Sequence, residues 1–216
     1  DSTSNNGAVT FTTTVDGEKT LTITSGSGAV EFGGNIGATT ALSDLTVNSS
    51  AGTGAITFSG NVGTSTAAGA AAVAIGNADT ASITFGGVEF TSSGAQTFIA
   101  DAYSITGADS TFATSNDNIT FADGGADGGI TLADIADLTL STELGGSGGG
   151  NIAVNVPIAG TAGDGDDATD VTMTAGSGTI SIEDISTDIN DVLLTSTGGI
   201  SLDGSITTAT DSDETG

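Results

Sequence analysis

Apolar and hydroxyl residues alternate along this chain in runs of three or four, set apart by Gly, Asn, Asp and Ser. Leu21-Thr-Ile-Thr is followed by Val30-Glu-Phe and Asn35-Ile-Gly, and Leu45-Thr-Val-Asn by Ile56-Thr-Phe and Asn61-Val-Gly. The pairing continues in Val73-Ala-Ile with Ile83-Thr-Phe, Tyr103-Ser-Ile with Ile119-Thr-Phe, and Leu138-Thr-Leu with Ile152-Ala-Val. Val171-Thr-Met with Ile180-Ser-Ile, then Val192-Leu-Leu with Ile200-Ser-Leu, complete the series. A period of two sends Leu21 and Ile23, or Ile56 and Phe58, to one face of a strand and the hydroxyls to the other. Each unit therefore reads as two short strands joined by a Gly-rich turn, with a third, weaker strand such as 34–37, 60–63 or 204–207.

Taken as equivalent positions, Val30, Ile56, Ile83, Ile119, Ile152, Ile180 and Ile200 are spaced 26, 27, 36, 33, 28 and 20 residues apart. A motif that persists while its spacing varies is what stacked repeats produce, because neighbouring strands fix the strand while corner loops take insertions. The expected fold is all-β: a right-handed parallel β-helix (β-solenoid) of about eight or nine irregular coils, on the order of 40 Å long at ~4.8 Å per strand. Phe58, Phe85 and Phe121 are expected to form one ladder. Almost no helix is expected, because the 35 glycines run throughout and each costs about 1 kcal/mol inside a helix. The best helical window, 134–140, reads instead as two strands, Ile130-Thr-Leu and Leu138-Thr-Leu, flanking a corner over 133–137. Residues 1–216 are expected to form a single β-solenoid domain. Neither 1–7 nor 208–216 offers an apolar capping helix, which points to one segment of a longer or self-stacking array.

Composition narrows the chemistry. There are 27 Asp+Glu against one Lys+Arg, no His, no Cys and no Trp, giving a formal net charge of −26. Zinc fingers, iron–sulfur clusters, thiol nucleophiles and Ser-His-Asp triads cannot be built from this set. Nucleic acid and anionic membrane are excluded as partners, because phosphates are neutralised by Lys and Arg and the only such residue is Lys19. Large apolar residues make up roughly 22 percent of the chain, barely above the level of about 20 percent that marks disordered sequences. Their clustering into alternating runs decides for a fold with a thin, regular core. The longest small-apolar run, 67–76, falls far short of the roughly 20 residues a membrane-spanning helix needs, so no membrane insertion is expected.

The windows Val171–Ser186 and Val192–Thr207 carry Gly-x-Ile-Ser-Leu/Ile followed by a turn and a further strand. In this they resemble the filamentous haemagglutinin-like adhesins, large exported bacterial exoproteins, and the likeness covers Leu21 to Thr207. The resemblance implies a right-handed parallel β-helix at the cell surface, with roles in adhesion, biofilm matrix or fibre formation. The segment departs from that family in lacking the Asn-rich secretion-domain motif at its start. No family active site carries over.

The densest charge cluster, Gly163-Asp-Gly-Asp-Asp-Ala-Thr-Asp, places Asp164, Asp166, Asp167 and Asp170 within seven residues of a Gly-containing loop. Calcium takes six to eight oxygens, so these four are the candidate calcium ligands, although the EF-hand pattern with its final Glu is missing. The competing reading is a solvated insertion between coils. Asp123 and Asp127 are a fainter version of the same pattern. Paired carboxylates also serve glycoside hydrolases, but sugar subsites need aromatic platforms and the chain has one Tyr, Tyr103; no enzymatic activity is expected. Thr-x-Thr pairs such as Thr12 with Thr14, Thr22 with Thr24 and Thr172 with Thr174 invite an ice-binding reading, which their irregular continuation weakens. Asn48-Ser-Ser and Asn118-Ile-Thr match glycosylation acceptors, as chance allows in so Ser/Thr-rich a chain.

The expected function is therefore structural or adhesive: an extracellular β-solenoid stalk or filament building block, partnered end to end by copies of itself or by adjacent repeats, with a cell-surface or matrix ligand held by corner loops. The alternatives are a calcium-dependent or ice-binding module, and a donor-strand β-sandwich subunit with Ala8–Val15 as the donor.

Overall fold

The computed structural model describes residues 6–126, 128–134, 136–144, 146, 148–161 and 169–208. Twenty-one short strands are present, and the described residues contain no helix. Every pairing between these strands is parallel, each strand meeting one that lies further along the chain rather than its hairpin neighbour. The Gly-rich corners explain why consecutive strands do not pair as hairpins: they turn the chain onto the next face, and only isolated bridges such as Thr64 with Ala67 are antiparallel among the described residues.

The first sheet contains eight strands. Val9–Phe11 pairs with Val30–Phe32, then follow Ile56–Phe58, Ile83–Phe85, Tyr103–Ile105, Ile130–Leu132, Ile158–Gly160 and Ile185–Ser186. Their first residues form a column running Val9, Val30, Ile56, Ile83, Tyr103, Ile130, Ile158, Ile185, with a bridge on to Ile206. The second sheet has thirteen strands in two arms that meet at Ala70–Gly76. In the early repeats a single long strand, Leu42–Val47 and then Ala70–Gly76, serves both arms. In the next repeat it divides into Glu89–Ser92 and Gln96–Ala100, because Ala70 aligns with Ser92 and Val73 with Gln96. One inserted residue, a β-bulge in effect, opens a corner at Ser93-Gly94. From there the arms continue separately, through Asp109–Thr114, Asp137–Ser141, Val171–Gly176 and Val192–Ser196 on one side. Ile119–Asp123, Ile152–Asn155, Ile180–Ile182 and Ile200–Leu202 follow on the other.

This register corrects the equivalence drawn from sequence. Ile119, Ile152, Ile180 and Ile200 do not continue the column of Val30, Ile56 and Ile83; they follow Leu21, Leu45, Val73 and Gln96 in the second sheet. The aromatic ladder is corrected with it. Phe58 and Phe85 stack with Phe11 and Phe32, whereas Phe121 stacks on Phe98 and meets Phe85 edge-on at 6.3 Å. The corner expected over 133–137 ends one residue sooner, since Asp137 already opens the strand Asp137–Ser141; between it and Ile130–Leu132 the Ala136 N–H donates to the Ala133 carbonyl at 3.0 Å.

All eight phenylalanines belong to one contact network. The Phe11–Phe85 stack packs edge-on against Phe90, Phe98 and Phe112, the geometry that the ring quadrupole favours. Beyond it, towards the C-terminus, the core is aliphatic: Ile130, Leu132, Leu138, Leu140, Ile152, Val154, Val171, Met173, Ile180 and Ile182 are all buried.

Corners need small residues where backbones nearly touch. Gly37 adopts φ +63°, and a Cβ there would overlap the Gly69 carbonyl oxygen. Side chains also link successive repeats at the outer corners. Asn35 Oδ1 accepts from Asn61 N, Asn61 Oδ1 from Val88 N, Asn118 Oδ1 from Asn151 N, and Asn151 Oδ1 from Thr179 N. Asp137 Oδ1 accepts from Asp170 N, Asp170 Oδ1 from Asp191 N, and Asp184 Oδ1 from Ser205 N. In each of these pairs the acceptor lies on the earlier repeat.

Candidate functional site

The sequence-derived calcium loop meets the structure at one residue. Asp164, Asp166 and Asp167 lie outside the described residues, as does Asp127. Asp170 stands in an aligned column of acids, Asp109, Asp137, Asp170 and Asp191, on one corner of successive repeats. Its N–H donates to Asp137 Oδ1 at 2.9 Å, and its own Oδ1 accepts from Asp191 N at 3.1 Å. Partial burial raises the Asp137 carboxyl above the usual range; the Asp170 N–H pulls against this, and the charges of Asp170 and Asp109 add to the rise. Among the described residues no group of three or more His, Cys, Asp or Glu side chains is arranged to hold a metal ion. Asp123 is turned to its own loop, where Oδ1 accepts the Gly125 N–H at 2.8 Å.

Tyr103 is internal rather than a surface platform. It is 2% exposed, its hydroxyl lies between the carbonyls of Phe98 and Ala122, and it accepts the Ala100 N–H at 2.9 Å. Burial pushes its pKa up, outweighing the opposing hydrogen bonds. The Asn48 glycosylation match is closed off: Asn48 is buried, with Oδ1 accepting from Ser25 N and Nδ2 donating to Ser25 Oγ. The segment considered as a donated strand is paired within its own chain, Val9–Phe11 against Val30–Phe32.

The hydroxyl pattern is more ordered than the sequence pairs suggested. Thr22, Thr46, Ala74, Thr97, Thr120, Ala153, Ser181 and Ser201 form one outward column without a charge. Thr97 and Thr120 belong to it although their repeats had been aligned on other residues. Two alanines interrupt the hydroxyls.

A small cavity lies inside the aromatic network, lined by Phe58, Val62, Val73, Phe85, Phe90, Gln96 and Phe98. Gln96 is the one polar member of its column. Its Nε2 donates to the carbonyls of Phe90 and Ala113 at 2.8 and 3.0 Å, tying the two arms together at the corner where they separate, while Oε1 is buried without a partner.

Surface apolar residues concentrate at one end of the stack. Ile180, Ile182 and Ile185 are 0–1% exposed, whereas their successors in the same columns, Ile200, Leu202 and Ile206, are 49%, 42% and 36% exposed. Val192 and Leu194 continue the column of Val171 and Met173 and are half-buried. At the opposite end Val9, Phe11, Val15 and Leu21 begin the columns, also half-buried. Among the described residues these edge strands are paired on one side only. No protein-family model, curated protein or solved structure matches the chain.

Proposed function

We propose that the chain is a right-handed parallel β-helix of about eight coils that serves as a rigid structural module, a stalk or filament building block on an extracellular surface. The handedness follows the general preference of parallel crossovers. The observation that carries this reading is the unbroken register of the apolar columns, each strand aligned with its successor from Val9 to Ile206. A column of this kind resists bending because every backbone bond between repeats runs along its length, and its acidic corners keep neighbouring columns apart.

Placement at a bacterial surface, and a share in adhesion or matrix formation, rest on the likeness of Val171–Ser186 and Val192–Thr207 to filamentous haemagglutinin-like adhesins. Binding to a surface or matrix ligand then falls to the corner loops, which vary while the strands do not. Two measurements test the reading. The double variant T57C/T84C, on outward neighbours in adjacent repeats, should form an intrachain disulfide without loss of β signal. Electron microscopy of the native material should show a continuous thin rod; beads of globular subunits would overturn the proposal.

A further inference from the structure

The first sheet carries an unbroken row of hydroxyls on its outer face. Thr57 pairs with Thr84, Thr84 with Ser104 and Ser104 with Thr131, between Glu31 on one side and Ala159 on the other. The row crosses four middle repeats, each paired on both sides, whereas the Thr-x-Thr pairs of the sequence run along single strands. None of these four hydroxyls bonds to another described residue. Corner hydroxyls behave differently: Thr106 Oγ1 donates to the Phe85 carbonyl and Thr161 Oγ1 to that of Leu132. Segments 55–59, 82–86, 102–106 and 129–133, which hold the row, contain no charged residue in a chain of net charge −26.

This face is also flat and stiff. On the inner side of the same strands the rings of Phe32, Phe58 and Phe85 stay within 4° and 7° of parallel from one repeat to the next, where neighbouring strands of an ordinary sheet turn by about 20–25°. Threonine is confined to few χ1 rotamers, so its hydroxyl and methyl recur at fixed points ~4.8 Å apart from repeat to repeat.

A flat, uncharged, rigid lattice of hydroxyls and methyls suits few partners. Protein interfaces favour aromatic, Met and Arg side chains and are depleted in Ser and Ala, the reverse of this face. Phosphate groups need cations, and the row has none. Hexagonal ice is uncharged and planar, and presents its hydrogen-bonding oxygens in rows at nearly the repeat of the strands. We infer that the outer face of the first sheet, centred on Thr57, Thr84, Ser104 and Thr131, binds the surface of ice. The hydroxyls take lattice positions and the Thr methyls exclude disordered water between them. Because these groups are in place before contact, little ordering entropy opposes binding. The second sheet does not match: Ala74 and Ala153 interrupt its hydroxyl column, and Glu89, Asp109 and Asp137 lie on its other arm.

Ice growth in solutions of the full chain tests this. The expected result for the unmodified protein is a gap between the melting and freezing temperatures of ice, with faceted crystals. T84K/T131K should reduce the gap several-fold while the protein's own thermal unfolding stays cooperative. T97K/T120K, the same change in the outward column of the second sheet, should leave the gap intact. T131K alone, at an exposed position, carries the comparison if the double variant does not fold. The absence of a gap in the unmodified protein overturns the inference, as does an equal loss in the two double variants or no loss in T84K/T131K. The T57C/T84C disulfide reports the register separately. If that bond forms and ice grows unhindered, ice binding fails and the stacked reading stands; if the bond does not form, the stacked reading fails with it.

Discussion

The rings of Phe32 and Phe58 lie 5.0 Å apart and 4° from parallel, although 26 residues separate them in the chain. Phe11 and Phe85 extend the stack at 5.1 and 5.8 Å. Each ring is held by the pairing of its strand, so alignment of the backbone and stacking of the core are the same event. Phe58→Ala should remove about 3–5 kcal/mol of stability by opening a cavity in this stack. Thr57→Ala, one residue away on the outer face, should change it by less than about 0.5 kcal/mol. Chemical denaturation of both variants checks the contrast, and equal effects would contradict the inward placement of Phe58.

Gly37 and Gly7 form a second contrast. Gly37 has a positive φ and its missing Cβ would collide with backbone, whereas nothing lies within 4 Å of the corresponding point at Gly7. Gly37→Ala should lower stability by more than about 1 kcal/mol, and Gly7→Ala should leave it within about 0.5 kcal/mol. Thermal melts of the two variants are the measurement.

Gln96 holds the corner at which one strand becomes two. Gln96→Leu would restore an apolar column and remove the unpartnered Oε1, but it would remove the side-chain hydrogen bonds to the carbonyls of Phe90 and Ala113. Losing bonds to two buried acceptors outweighs removing one orphaned atom, so a net destabilisation of about 1–3 kcal/mol is expected. A stabilised variant would show that those carbonyls do not depend on Gln96.

Asp137 and Asp16 respond oppositely to acid. The folded-state pKa of Asp137 is raised, first by burial, so its ionised form opposes folding above that pKa. This penalty fades as pH falls through the raised folded value and is gone below the unfolded value. Asp16 is lowered by the N–H groups of Thr39 and Thr40, so its stabilisation is present above the unfolded value and lost as pH falls through the lowered folded one. Asp137→Asn keeps the Oδ1 acceptor for Asp170 and removes the charge. It should raise the melting temperature at pH 7, with the gain vanishing at pH 3. A lowered melting temperature at pH 7 would contradict this.

Strands and corners were legible in the sequence because alternation and glycine act locally. Val30-Glu-Phe, Ile56-Thr-Phe and Ile180-Ser-Ile are strands as read. Assignment to a sheet was not legible, because Ile83-Thr-Phe and Ile119-Thr-Phe are the same tripeptide core placed in different sheets. Only pairing partners distinguish them, and the corner that separates the arms is a single inserted residue near Gly94. Gln96 escaped notice for a related reason: Gln96–Ala100 opens with a polar residue where every other strand of that column opens with an aliphatic one. Of the candidate calcium ligands only Asp170 can be placed, and its hydrogen bonds join repeats.

The one-way sense of the corner bonds bears on how such a chain becomes ordered. Asn35, Asn61, Asn118, Asn151, Asp137, Asp170 and Asp184 each offer an oxygen to the residues that come after them. At these seven corners a polypeptide delivered amino-terminus first would find side-chain acceptors already positioned for the segment next to arrive, whereas the bond from Ser25 N to Asn48 Oδ1 runs the other way. Growth from the opposite terminus would meet donors whose acceptors had yet to appear. At those corners the side-chain acceptor is in place before its donor, like a zip whose slider sits at the newest tooth.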